Sequence, residues 1–215
     1  MPNIFPKWAN HVPLKAAVAM GLMTASAVAG VTYYFTQEYT RAGYMPIQPA
    51  PFSHKLHVGD LGMDCRYCHN AVEVSAHSNI PTTESCMACH TQIRPDSPKL
   101  APVRESWQSG LPIEWVRIHK APDYVYFNHA VHVARGVSCV SCHGPVDLME
   151  EVWQDKSQSM SWCLDCHRAP ESALRPLQEV YQMDWTAGAG QQELGKKLKE
   201  AWEVQPSTNC GACHR

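Results

Sequence analysis

Five copies of Cys-x-x-Cys-His punctuate the chain and take up all ten of its cysteines. They are Cys65-Arg66-Tyr67-Cys68-His69, Cys86-Met87-Ala88-Cys89-His90, Cys139-Val140-Ser141-Cys142-His143, Cys163-Leu164-Asp165-Cys166-His167 and Cys210-Gly211-Ala212-Cys213-His214. On a helical turn, residues i, i+3 and i+4 share one face. Each copy can therefore offer two thiols to the vinyl groups of a haem and an imidazole to its iron, which is the pattern of c-type haem attachment. Zinc would need ligands in fours, shared among five Cys-Cys-His units with no regular pairing. A dithiol redox motif has no use for the histidine that follows. The expected cofactor is five covalent c-type haems, with His69, His90, His143, His167 and His214 each binding an iron.

That load constrains the fold. Residues 36–215 supply 180 residues, or 36 for each of five haems. This is too little protein to build an ordinary core and also enclose five porphyrins. The fold class expected is a multihaem cytochrome c, mostly irregular, with short α-helices wrapped around the haems. The formal charge of −2 leaves out the haem propionates, and the Lys and Arg residues form no cluster or stripe of the kind that binds nucleic acid.

Residues 16–35, from Ala16 to Phe35, carry no charge. As a helix this run is about 30 Å long, the thickness of a bilayer core. Lys7 and Lys15 precede it, whereas Glu38 and Arg41 follow. The positive-inside rule then keeps residues 1–15 cytoplasmic and places the haem region on the periplasmic side of the inner membrane. Ala25-Ser26-Ala27 resembles a signal-peptide cleavage site. The apolar run continues eight residues beyond it, so a retained single-pass anchor is expected. Residues 36–51, with Pro46, Pro49 and Pro51, read as an extended tether.

The remainder repeats. Phe52-Ser53-His54-Lys55-Leu56-His57-Val58 stands ahead of Cys65, and Phe127-Asn128-His129-Ala130-Val131-His132-Val133 stands ahead of Cys139. Each copy is followed by two haem motifs, which defines a di-haem repeat at 52–126 and another at 127–190. Residues 191–215 add a helix and a fifth haem. The helix is expected from Leu194, Leu198, Ala201 and Trp202 at helical spacing, lying across the fifth haem. Thr82 or Thr83 is suited to cap a helix leading into Cys86, and a short helix is expected near Trp107.

Five irons need five further axial ligands, and six histidines outside the motifs lie beyond the anchor: His54, His57, His77, His119, His129 and His132. Imidazole is a standard axial ligand, so all six are candidates. Met45, Met63, Met149 and Met160 lie near the motifs and would raise the potential of any haem they bound. Phe-x-His-x-x-His resembles the arrangement in class III multihaem cytochromes. The resemblance implies that one histidine of the pair serves the haem just downstream and the other a neighbouring haem.

Irons with two axial histidines have no open site for a substrate, which leaves one-electron transfer as their chemistry. The stretch from Phe52 through Asp64-Cys65-Arg66-Tyr67-Cys68-His69, then Ile80-Pro81-Thr82-Thr83, Asp123-Tyr124-Val125-Tyr126-Phe127-Asn128-His129, Cys139 to Gly144, and Met160-Ser161-Trp162-Cys163-Leu164-Asp165-Cys166-His167-Arg168 resemble the pentahaem cytochrome c component of bacterial alternative complex III. The resemblance covers nearly the whole chain. It implies a relay subunit of a menaquinol-oxidising respiratory or photosynthetic complex. Its partners there are an iron-sulfur, molybdopterin-like subunit, polytopic quinol-binding membrane subunits and a monohaem cytochrome c. Electrons would pass on to a periplasmic cytochrome c, a copper protein or a terminal oxidase.

Two other plans are disfavoured. A membrane-anchored quinol dehydrogenase feeding a periplasmic reductase usually starts its haem motifs close to its membrane helix, whereas 29 residues separate Phe35 from Cys65 here. A multihaem reductase with an open haem often replaces a motif histidine with lysine, and all five motifs here end in His.

Overall fold

A computed structural model describes residues 5–35 and 41–214 of the chain. Glu38, the start of the expected tether, the first four residues and Arg215 lie outside the described residues. The chain opens with helix α1, Val12–Phe35, extended at its N-terminus by a 3₁₀ turn, Lys7–His11. This helix starts ahead of the uncharged run, because Pro13 in the first turn lacks only an N–H that would have no helical partner anyway. From Lys7 to Phe35 it is long and apolar enough to cross a membrane, its most apolar stretch of 18 residues having a mean hydropathy of 1.6 and none of that stretch being buried against the rest of the protein.

Beyond it the helices are short. In chain order they are α2 Cys65–Cys68, α3 Thr83–His90, α4 Ala101–Ser109, α5 His129–Ala134, α6 Cys139–His143, α7 Met160–Arg168, α8 Gln191–Ala201 and α9 Cys210–Cys213. A π-helical turn, Lys55–Asp60, carries the first Phe-His-His segment into the first motif. The β pairing among the described residues consists of two isolated bridges, Val125 to His214 and Val137 to Leu174. Helix α4 is the one expected near Trp107, and it stops at Gly110, whose φ of 72° is the left-handed conformation that ends helices at glycine.

The protein's own core is thin. Its buried apolar residues among those described are Ala50, Val72, Met87, Val103, Met149, Leu174, Val180 and Val204. The accessible surface is 14885 Å², against roughly 9,900 Å² for a compact protein of this mass. The projecting α1 accounts for part of the excess.

The segment read as a tether is laid against this region. Gly43 and Tyr44 pair with Gln154 through backbone hydrogen bonds of 2.8 and 3.0 Å. The Gln48 side-chain amide donates to the Val116 carbonyl at 2.9 Å, and its oxygen accepts from the Val116 N–H at 2.9 Å. Ala50 ends the segment inside a cluster with Met87 and Val103.

Helix α8 presents Gln191, Leu194, Gly195, Leu198, Lys199 and Trp202 inward, while Ala201, expected on that stripe, is exposed. It packs on the segment after the fourth motif: Gln191 Nε2 donates to the Glu171 and Leu174 carbonyls, and Lys199 pairs with Glu171 at 2.6 Å. A Cβ on Gly195 would run into the Glu171 carbonyl. Gly to Ala inside a helix ordinarily stabilises by about 0.5–1 kcal/mol. Gly195→Ala is instead expected to destabilise by roughly 1–3 kcal/mol through overpacking, read as a lowered thermal midpoint; an unchanged or raised midpoint would show that α8 moves freely on residues 170–174.

Candidate haem centres

All five Cys-x-x-Cys pairs lie on helical turns, and two of those turns are capped by the residue in front. Asp64 accepts from the Arg66 N–H at 2.8 Å, and Asn209 accepts from the Gly211 N–H at 2.9 Å. The third, fourth and second copies follow extended N-cap residues Ser138, Ser159 and Thr82. Ser159 caps with its side chain, whereas Thr82 shows no side-chain cap bond. None of the ten cysteines is paired in a disulfide; most are half-buried, with Cys89 and Cys210 exposed.

The two Phe-His-His segments build the same object twice. Phe52 meets His54 edge-on at 4.8 Å and stacks on His57 at 4.5 Å. Phe127 meets His129 edge-on at 4.8 Å and stacks on His132 at 4.4 Å. One aromatic ring thus fixes both imidazoles of each pair. The ring planes of the second histidines are further set by their own helices: His57 Nδ1 lies 2.8 Å from the Ser53 carbonyl and His132 Nδ1 lies 2.7 Å from that of Asn128.

This anchoring recurs. His129 Nδ1 is 2.8 Å from the Ala76 carbonyl, His69 Nδ1 is 2.7 Å from that of Asn79, His90 Nδ1 is 2.9 Å from that of Ile93, and His167 Nδ1 is 2.7 Å from that of Ser207. A histidine whose Nδ1–H is held by a carbonyl turns Nε2 outward as a free donor atom, the usual dress of a metal-binding imidazole. Three such rings face motif histidines at nearly one separation: His57 to His90 at 6.2 Å, His132 to His167 at 6.2 Å and His129 to His143 at 6.3 Å. Two imidazoles bound end-on to one metal at ~2.1 Å have centroids ~6.3 Å apart. His119 stands 4.3 Å from His143, edge to face, which is too close for an ion to lie between them.

Electrostatics agree with neutral imidazoles. Burial, then the charges of His69 and His57, lowers the His54 pKa to about 4. Burial, then Arg41, lowers His119 to about 4, and burial, with His119, His129, His69 and His54 adding to it, takes His143 to about 3. A neutral ring is the form that binds metal. His54 Nδ1 and His119 Nε2 are also buried without any hydrogen-bond partner, an arrangement that is costly unless another group meets them. Among the described residues no three His, Cys, Asp or Glu side chains converge on one point. The donors oppose one another in twos across gaps, with paired thiols alongside. The residues present therefore fit flat metal macrocycles slotted between histidines, and do not fit tetrahedral zinc.

A family model for cytochrome c7 and related cytochrome c matches residues 50–102 and 125–215. The chain belongs to that family. The cytochrome thus carries covalently bound c-type haem, and its chemistry is multihaem electron transfer. It is 40% identical over 97 residues to the multihaem cytochrome c subunit of menaquinone reductase from Nitratidesulfovibrio vulgaris, covering 45% of each chain. It is 26% identical over 231 aligned residues to a cytochrome c-552 from Desulfotalea psychrophila, covering 81% of this chain and 44% of the relative. The cytochrome therefore spans somewhat less than half the length of these relatives.

The remaining candidates are placed differently. His77 is exposed, and its backbone N–H is bound by Ser75 Oγ at 3.2 Å. Met149 is fully buried, while Met45 and Met160 are mostly exposed. His214 has Tyr124 as its ring neighbour at 5.6 Å. Sequence reading gave no hint of the carbonyls of Ser53, Ala76, Asn79, Ile93, Asn128 and Ser207, since any residue can supply a carbonyl. The clamping by Phe52 and Phe127 was there to be read in the repeat itself.

Proposed function

We propose that this chain is a pentahaem electron-relay subunit of a membrane-bound, menaquinol-oxidising complex of the alternative complex III type. The observation that carries the relay reading is the trio of opposed imidazoles at 6.2–6.3 Å, which would hold an iron from both sides and offer a substrate no open position on it. When bound, c-type haem supplies reversible one-electron chemistry at iron. The chain's own residues fix its orientation and potential. In this reading the ten motif cysteines hold five haems and His69, His90, His143, His167 and His214 are proximal ligands. His57, His132 and His129 stand opposite His90, His167 and His143. His54 serves His69, and His77 and His119 remain as candidates for the fifth iron.

Helix α1 is proposed as a retained inner-membrane anchor with its N-terminus in the cytoplasm, which puts the haem region in the periplasm beside quinol-binding membrane subunits, a monohaem cytochrome c and an iron-sulfur subunit. Support for a quinone-linked complex comes from the menaquinone reductase relative. That relative also favours a second reading in which electrons run the other way, from a periplasmic donor into menaquinone. Fixed ligands conduct in both directions, and only the potentials of the partners decide between them. Gentle solubilisation and purification through this chain tests both. Co-purification of polytopic subunits and an iron-sulfur subunit, with menaquinol:cytochrome c activity, is the expected result. A complex that only reduces menaquinone supports the reverse reading, and a chain recovered alone overturns both.

A further inference from the structure

The two histidines of each Phe-His-His segment stand three residues apart on one turn, so they bind neighbouring centres. In the second repeat, His129 faces His143 and His132 faces His167 from the single helix α5. This makes the third and fourth centres adjacent. In the first repeat, His57 faces His90, and His54, held against the same Phe52 ring, serves His69 in the reading above. That makes the first and second adjacent.

Besides the bond from the Lys55 N–H to the Met149 carbonyl at 2.9 Å, the repeats meet between the first and third motifs. The His129 ring and backbone N–H both address the Ala76 carbonyl, at 2.8 and 3.2 Å, and the Ala130 N–H donates to that of Ser75 at 3.2 Å, in the loop after the first motif. Ser138 Oγ, just ahead of Cys139, donates to the Val180 carbonyl at 2.7 Å. Next to it, the Tyr181 hydroxyl donates to Glu73 at 2.8 Å, and its ring lies 4.3 Å under the guanidinium of Arg66. The fifth motif adjoins the fourth, because the Ser207 carbonyl that holds His167 lies three residues ahead of Cys210.

From these contacts we propose that the five attachment sites stand in single file in the order second, first, third, fourth, fifth. The sites at Cys86–His90 and Cys210–His214 are then the two ends, where partners must exchange electrons with the chain, and electrons cross between the two repeats from the first site to the third, beside Tyr181. The proposal rests on the five-haem reading.

The test counts neighbours in the intact holoprotein. The mass of the purified chain first gives its haem content; a count other than five overturns the reading itself, separately from the order. Replacing a distal histidine by methionine raises the midpoint of one haem, so that haem is already reduced when its neighbours titrate. The added negative charge then lowers their midpoints, while charge beyond the adjacent site is largely screened. In potentiometric titrations followed by electron paramagnetic resonance, His57→Met should raise one midpoint and lower one other, as an end site requires. His132→Met should raise one and lower two. His129→Met, also expected to lower two, serves if His132→Met fails to mature. Two lowered midpoints in His57→Met, or one in His132→Met or His129→Met, would overturn the order, including the case in which the fifth centre couples to the third through the pairing of residues 125–126 with Cys213 and His214.

Discussion

His132→Ala is expected to add the binding of one carbon monoxide per chain to the reduced protein, beyond whatever the parent binds, with one low-spin haem converted to high spin. His132 opposes His167 at 6.2 Å and its ring is buried under Phe127. Truncation leaves an imidazole-sized gap on one side of the iron and no other imidazole positioned to fill it. The loss of the stacked contact costs about 1–3 kcal/mol in stability, which is small beside the spectroscopic change. His57→Ala should behave in the same way at the second centre. His77→Ala, at an exposed ring, should change nothing unless it serves the fifth iron. Failure of His132→Ala to gain a ligand site would remove His132 from the axial set.

The second large effect concerns folding. The same chain produced without haem attachment is expected to lack a folded haem-motif region altogether, rather than to be a weakened version of it. Eight buried apolar residues among those described cannot offset the conformational entropy of ordering more than 170 residues, about 1–2 kcal/mol for each, when intact domains keep a margin of only about 5–15 kcal/mol. Circular dichroism should show little helix beyond α1, and limited proteolysis should degrade residues 41–214 at once. A protease-resistant, haem-free form would mean that the protein core is self-sufficient and that haems are inserted into a finished scaffold.

Local rules were readable in the chain because they are local. Helical turns under each motif follow from the i, i+3, i+4 requirement. Thr82 does mark the start of α3, and the two Phe-His-His segments do share one arrangement of their three rings, on a π-helical turn in the first and an α-helix in the second. The partnership of His132 with His167 was beyond reach, since 34 residues separate them and spacing alone allows any neighbouring iron. Helix α8 shows the same limit. Its period was legible, but the face that packs is set by Gly195 approaching the Glu171 carbonyl, a contact between backbones that hydrophobicity does not encode. The docking of Gln48 on Val116 is a side-chain amide bonding a backbone 68 positions away, made by a segment whose prolines read only as extended.

That docking sets the reach of the whole assembly. Arg41 donates to the Ile118 carbonyl, and Phe35 closes the membrane-length helix, so with that helix anchored as proposed, six backbone steps join lipid to haem region, at most about 22 Å when fully drawn out. A leash of that length, bound down from its first described residue, does not let the cytochrome swing between distant partners as a shuttle would. Donor and acceptor have to come to it, or be built beside it, and the distance electrons travel parallel to the membrane is then covered by the row of fixed centres rather than by diffusion.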